Sequence, residues 1–487
     1  MLRSMISRRS LLKAGAGTAA VLAGGGVAAP LLSAGPAHAA DLDPGTIPKY
    51  EVPMPRIPVL KPSRLTSGTS FFDVDMRESD VQILPGRKTR VLTYGGAFPG
   101  RTLLATTGRR TVVSRLNTLG TATSVHLHGA HVAPEHDGGP MDLIAPGDRR
   151  SYTYPNTQTH ANLWFHDHAH HHESEHVYRG LSAFYLLSDR TERSLPLPSG
   201  EFDVPIMLRD ARFDTDNQLV YVMDDFLNRN TILVNGRPWP YFQVAARKYR
   251  FRILNSTNLR FFTLKLSDGG SFTQIGSDGG LLAEPFETTE LRLSCGERAD
   301  IVVDFARYPV GTSLELVNDN GPGPAEHVGK VLRFDVVRTA ADDSSVPARL
   351  RTLPALPTPT VERTIDLRMD EDGRPHPNAY IDEKLYDHHR VDTVIQHGTT
   401  ELWTVRNVNE LAPHNFHMHL VQFRVLERNG TPVTGGPEGG LKDTVTLLAG
   451  ESVKLQATFK GYRGSYVYHC HMLDHSAMGM MATMQIV

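Results

Sequence analysis

At 487 residues, with 40% apolar and 21% charged, the chain has the make-up of a soluble globular protein of two to four domains. A formal net charge of −2 excludes a general electrostatic attraction to nucleic acid or anionic membrane. Its 42 glycines and 32 prolines favour many short strands joined by turns over long helices.

In chain order, the first segment stands apart from the fold. Ser7-Arg8-Arg9-Ser10-Leu11-Leu12-Lys13 resembles the twin-arginine export signal. A weakly apolar stretch rich in Gly and Ala runs on to about Leu32, and Ala37-His38-Ala39 is a small-x-small cleavage pattern. Residues 1–39 are therefore expected to be a signal peptide, and the mature protein periplasmic or extracellular. The glycines at 15, 17, 24, 25 and 26 make this segment a poor membrane span, and no later stretch is long and apolar enough, so no membrane anchor is expected.

From there strand-like runs dominate. Thr111–Leu116, Ser182–Leu187, Lys248–Leu254 and Ala299–Phe305 are short, rich in β-branched or aromatic residues and partly alternating. Turn signals such as Pro146-Gly147, Asn235-Gly236 and Asn429-Gly430 bound runs of this kind. Two polar, proline-containing stretches, Asp189–Pro205 and Thr339–Pro359, read as linkers. They divide the mature chain into three all-β units, 40–190, 204–340 and 360–487, each of β-sandwich size. A faint repeat between Leu233-Val-Asn-Gly-Arg-Pro and Tyr380-Ile-Asp-Glu-Lys-Leu-Tyr agrees with the division. The only cysteines are Cys295 and Cys470, so no disulfide framework exists. Cys295 is expected to be a buried, inert thiol.

Four histidine clusters carry the chemistry: His126-Leu-His128-Gly129, His166-Asp-His168, His414-Asn-Phe-His417-Met-His419 and His469-Cys470-His471-Met-Leu-Asp-His475. On a strand, side chains at i and i+2 share a face, so each His-x-His pair sets two imidazoles side by side. By the same alternation Cys470 points away from His469 and His471, toward a different site. A thiolate, two imidazoles and a weak axial thioether form a blue-copper set, which Cys470, His475, His414 and Met480 supply. Met478 competes for the axial place, but the spacing from His475 favours Met480. Zinc also accepts Cys and His ligands, yet it gives no reason for a thiolate between two more histidines. Electron transfer along the chain from one metal to the next does.

These clusters, in this order, resemble the multicopper oxidases, a family that includes laccases, bilirubin oxidases and bacterial cuprous oxidases. The likeness spans about residues 65 to 487, with softer matches at Val177-Tyr-Arg-Gly-Leu and Leu293-Ser-Cys-Gly-Glu-Arg-Ala-Asp. It implies three cupredoxin-like Greek-key β-sandwich domains and four copper ions. The type 1 copper would take His414, Cys470, His475 and Met480. The type 2 copper would take His126 and His417. The type 3 pair would take His128, His166, His168, His419, His469 and His471. Electrons from a small-molecule donor would enter near His475, cross through Cys470 to His469 and His471, and reduce O2 to water. The resemblance also implies that Asp137 steadies bound water and relays protons; its other reading is a turn aspartate before Gly138.

One position departs from the pattern. Many bacterial relatives carry Glu immediately after the last type 1 histidine, where this chain has Ser476. Asp474 or an ordered water would have to substitute, and turnover should be slower or differently pH-dependent. His170, His171, His172 and His176 form a dense run that is read as a solvated loop, the alternatives being copper gathering or a substrate mouth. Met472, Met478, Met481 and Met484 are read as core fillers. The expected donors are phenols or aminophenols, with a metal oxidase acting on Cu(I), Mn(II) or Fe(II) as the alternative. Copper nitrite reductases lack the paired type 3 ligands, and the full ligand set argues against a non-catalytic copper binder. The sequence leaves a monomer open.

Overall fold

The computed structural model describes residues 39–374 and 377–487. The signal peptide predicted for residues 1–39 lies, apart from Ala39, outside the described residues.

Among the described residues, strands fall into six sheets, which pair into three β-sandwiches with a common topology. In each, an opening strand (Thr69–Val81, Asp203–Ala211, Val361–Met369) pairs antiparallel with a following strand (Thr89–Tyr94, Thr231–Val234, Ala379–Ile381). It also pairs parallel with a later strand (Arg110–Asn117, Lys248–Asn255, Thr400–Asn407). The facing sheets repeat a second pattern. A parallel pair comes first: Gly100–Thr106 with Ser182–Ser188, Tyr241–Ala246 with Lys330–Thr339, and Thr393–Ile395 with Met481–Ile486. Then come two antiparallel neighbours: Ala161–Asp167 and Val125–His128, Ser313–Asn318 and Phe262–Leu266, Gly464–His469 and His414–Met418. The faint sequence repeat has its basis here: Leu233 and Tyr380 both lie on the second strand of their unit, opposite Arg209 and Arg368.

Alternation is plain where one face meets the core. Arg110–Asn117 buries every second residue, from Thr111 to Asn117. Ala161–Asp167 and His414–Met418 instead are buried throughout. Leu163 and Phe165 enter the core of the first sandwich and Phe416 and Met418 that of the third. On the alternate face Trp164 packs on Met207 and Leu254 and Asn415 donates to the Cys295 carbonyl, both contacts with the middle sandwich, and His166 and His417 turn to the junction of the outer two. That shared face carries the histidines. The equivalent strands of the middle sandwich, Phe262–Leu266 and Ser313–Asn318, contain none, which is why the clusters occur only at the two ends of the chain.

Neither polar stretch is a free tether. Asp189 caps the short helix Arg190–Ser194 through its carboxylate and the Glu192 N–H at 2.8 Å. Glu192 then pairs with Arg250 at 2.8 Å and Arg252 at 3.1 Å, all in buried positions. The later stretch buries Leu350 beside Ile275 and Leu281, and Arg351 donates to the Gly279 carbonyl at 3.0 Å. Much of each stretch is exposed, but these few buried anchors tie it to the middle sandwich. These anchors matter because a site built between sandwiches is only as exact as their docking.

Candidate metal centre

Two strand pairs meet across the junction of the first and third sandwiches. Within each pair the register sets histidines directly opposite: His126 faces His166, and His417 faces His469. The i, i+2 partners then lie 5.8 Å apart between ring centroids for His126/His128, 5.8 Å for His166/His168, 5.0 Å for His417/His419 and 5.4 Å for His469/His471. All eight rings are buried in one chamber. Trp164, opposite His128, stacks on His166 at 4.2 Å and forms part of its wall.

Their donor atoms group naturally. His128, His166 and His471 offer three nitrogens within 4.8 Å of one another, and His168, His419 and His469 offer three more. His126 and His417 remain, and they group with His128. The sets are thus two trios and a pair.

Ring orientation shows what the chamber is built to hold. Five rings are held through Nδ1 by an outer acceptor: His126 by the Asp137 carbonyl at 2.8 Å, His166 by the Asp167 carbonyl at 2.8 Å, His417 by the Asp443 carbonyl at 2.7 Å, His469 by the Cys470 carbonyl at 3.0 Å, and His419 by Asp137 Oδ2 at 2.7 Å. Donation from Nδ1 fixes the tautomer and leaves an Nε2 lone pair aimed inward. The Nε2 atoms of His126 and His417 are buried and find no partner among the described residues. Those of His168 and His469 face each other at 3.2 Å, those of His166 and His471 at 3.4 Å. Protonation gives little relief. Burial, reinforced by neighbouring imidazoles, lowers every one of these pKa values, to about 3 for His166 and about 4 for His469. Converging neutral imidazoles without hydrogen-bond partners are satisfied by metal ions, and copper suits an imidazole donor set.

A second site lies on the opposite side of Cys470, as alternation requires. Cys470 Sγ is 3.9 Å from His414 Nδ1 and 3.9 Å from His475 Nδ1, and these two nitrogens are 3.1 Å apart. His414 is held by Nε2 on Asn409 Oδ1 at 2.9 Å, so its Nδ1 is the free donor. Burial pushes the Cys470 thiol up to about 12, so its thiolate forms only with a cation to receive it. Met480 is fully buried and tied at both backbone ends: its N–H donates to the His475 carbonyl at 3.1 Å, and its carbonyl accepts from Cys470 N–H at 3.1 Å. Met478 is only half-buried.

Around the chamber runs a layer that the sequence only partly disclosed. Asp137 is buried, and burial together with Asp142 raises its pKa well above the usual carboxylate range. Besides holding His419, its Oδ1 lies 3.6 Å from His126 Nδ1. Asp443, unremarked in the sequence, binds His128 Nε2 at 2.8 Å and is itself clamped by both terminal nitrogens of Arg298 at 2.6 Å. Arg298 belongs to the middle sandwich and also donates to the Asn162 carbonyl at 2.7 Å, so one guanidinium joins all three units behind the histidines. Its only trace in the sequence was the Leu293–Asp300 match. Gly129, with φ +82°, lets the backbone pass so near that an added Cβ would collide with the Asp443 carboxylate. Gly296, with φ +83°, does the same beside His471.

The histidine-rich run after His168 is divided. His171 and His172 are exposed and His170 is half-buried, but His176 is buried, 3.4 Å from Asp167 and 3.0 Å from Thr121 Oγ1. His176 is therefore a core histidine and not part of a solvated loop. Cys295 is a free, fully buried thiol, Met472 and Met484 are buried in the third core with Met478 packed against it, and Met481 is buried outside that cluster.

Comparison with known proteins agrees with this geometry. Three family models described as multicopper oxidase match residues 75–192, 203–315 and 356–487. A laccase of Bacillus subtilis is 34% identical over 91% of this chain and 99% of its own length. A bilirubin oxidase of Albifimbria verrucaria is 36% identical over 89% of this chain and 81% of its own. The solved structure of a laccase from Pediococcus acidilactici superposes with a TM-score of 0.84 at 33% identity, covering 91% of this chain and 95% of that one. With like domains matched three times in succession and a laccase aligned almost end to end, the chain belongs to the multicopper oxidase family.

Proposed function

We propose that four copper ions serve this chain and that its donors are phenols and aminophenols. The broader activity is that of a laccase-like multicopper oxidase, a copper-dependent oxidoreductase that passes electrons from small molecules to O2. In the proposed assignment His414, Cys470, His475 and Met480 hold one copper. His126 and His417 hold a second, and the trios His128/His166/His471 and His168/His419/His469 hold a pair. The observation that carries it is the inward convergence of buried, neutral imidazole nitrogens beside a separate Cys-His-His set. Bound copper supplies one-electron redox chemistry at the sulfur and multi-electron reduction of O2 among the imidazoles.

The protein's own groups do the rest. Cys470 lies between His469 and His471 in the chain, so a single covalent path joins the two sites. His475 is 3% exposed, which limits outside donors to its edge. Leu411, 80% exposed, stands two residues from Asn409, the anchor of His414, and offers an organic ring an apolar surface. Glu371, an acid that reaches this loop, is already committed to the backbone N–H groups of Glu410, Leu411 and Ala412. The exposed Leu411 side chain supports aromatic donors. The deciding experiment is O2 uptake by copper-loaded protein with a panel of phenols, bilirubin, Cu(I) and Mn(II). Phenols should be oxidised fastest; uptake with Cu(I) or Mn(II) alone would assign the second reading.

Asp137 holds His419 and borders His126, and it is proposed to steer water and protons there. Asp137→Asn should cut turnover about ten- to a hundredfold, the usual cost of losing a group that orients a metal ligand, with the colour of the Cys470 site unchanged. Wild-type turnover in the variant would remove Asp137 from the relay. The boundaries 40–190, 204–340 and 360–487 are proposed for the three units, and export by the twin-arginine route, to the periplasm or beyond, rests on Ser7–Lys13. No helix among the described residues is long and apolar enough to cross a membrane.

A further inference from the structure

Glu173 opens the helix Glu173–Arg179, one turn beyond His168, its N–H donating to the Ala169 carbonyl at 2.8 Å. The side chain is fully buried. Oε1 meets the Ser476 hydroxyl at 3.4 Å, the backbone N–H groups of His172 and Glu173 lie close to the carboxyl, and among the described residues no lysine or arginine pairs with it. Burying a carboxyl without a cationic partner is costly and gives the fold little in return. Burial, with Asp167 acting in the same direction, lifts its pKa to about 8, so at neutral pH it carries a proton.

Asp474, the acid nearest in sequence to His475, is not available for this task. It is paired with Arg229 at 2.9 Å and accepts from the Asp224 N–H at 2.7 Å, from Asn258 at 3.1 Å and from Ser174. Both of its oxygens are therefore already taken by these partners. The other groups around Glu173 are Asp167 on the strand Ala161–Asp167, which pairs with His176, the histidines His172 and His176 of its own helix region, and Tyr386. Tyr386 borders a cavity of about 290 Å³ that also touches Pro140, His388 and Thr483.

We propose that Glu173 donates protons to oxygen reduced in the histidine chamber, a carboxyl supplied from the first sandwich to the place where the third presents Ser476. Reduction of one O2 to two waters consumes four electrons, taken from the donor, and four protons. Each proton passed on breaks the Glu173 O–H bond, and the carboxylate left behind is reprotonated from solvent on the Tyr386 side. The inference rests on the chamber being the site of O2 reduction, which wild-type O2 uptake tests separately.

The test uses the copper-loaded full chain and three variants. Glu173→Gln should keep the colour of the Cys470 site and its copper content but lose about a hundredfold in turnover, the scale of a general acid. Below about pH 8 Glu173 is protonated, so the wild-type rate should fall as pH rises through that value, and this limb should be absent from the variant. Infrared spectra of the wild type at neutral pH should contain a protonated-carboxyl band that disappears on raising the pH and is missing from Glu173→Gln. Glu173→Ala should be as slow as Glu173→Gln, and adding Ser476→Glu to it should restore much of the rate by returning a carboxyl to the same spot. A Glu173→Gln enzyme with wild-type turnover, or one that has lost its copper, would overturn the proposal. So would an unchanged carboxyl band.

Discussion

Cys470→Ser should leave a colourless protein whose O2 uptake with phenols falls below detection. The sulfur lies 3.9 Å from each of two imidazole nitrogens, His414 Nδ1 and His475 Nδ1. A thiolate is a soft ligand that sets both the colour and the electron affinity of such a site, and a serine oxygen supplies neither. Burial aggravates the loss. The thiol already needs a cation to ionise in this environment, and an alkoxide would need far more help. The eight chamber imidazoles are untouched, so copper content should drop by one ion, from four to three, while donors stay reduced. Retained colour would mean that the metal is held by something other than Cys470. Because Ser is close to Cys in size, folding should survive, which a melting curve near that of the wild type would verify.

The second large effect falls on a residue that touches no substrate. Asp443→Asn removes the charge that holds His128 Nε2 and leaves Arg298 buried opposite a neutral amide. Breaking a buried ion pair by removing one partner typically costs about 3–5 kcal/mol, and losing the outer partner of a metal-binding histidine costs about 10–100-fold in affinity. The variant should therefore melt earlier and lose chamber copper during dialysis against a weak chelator. The Cys470 site, which Asp443 does not contact, should stay coloured. Equal loss of both kinds of copper would show that Asp443 acts through folding alone.

What could be read from the sequence and what could not divide along a physical line. The His-x-His pairs were legible because strand alternation is local: two residues on, the side chain returns to the same face. Cys470 was legible for the same reason, since it must point away from His469 and His471. Asp443 and Arg298 stand 145 positions apart and meet only through the docking of separate sandwiches, so no local pattern marks them. Glu173 was hidden in a run of histidines that reads as solvent-facing. Only the packing of its helix against Leu473–Ala477 buries it and closes the gap to Ser476. His176 was misread, although His171 and His172 are exposed as expected, because the helix that begins at Glu173 turns it inward to Asp167. At Asp189–Pro205 composition hid one contact: Glu192 pairs with Arg250 and Arg252 of the next sandwich.

Topology supplies a further lesson. All three sandwiches repeat one strand order, yet only the outer two present histidines on the strands that meet between them. The middle sandwich contributes no imidazole to the chamber. Its part is mechanical, with Arg298 fastening Asp443 and Asn162 together behind the rings.

Stepwise addition of Cu(I) to the metal-free protein under argon, followed by admission of air, puts the assignment of eight imidazoles and one thiolate to its most direct trial. Colour and O2-consuming activity with a phenol should rise as copper is bound and level off together at four ions per chain. A protein that saturates with copper yet remains colourless, or takes up no oxygen with any donor, would contradict it.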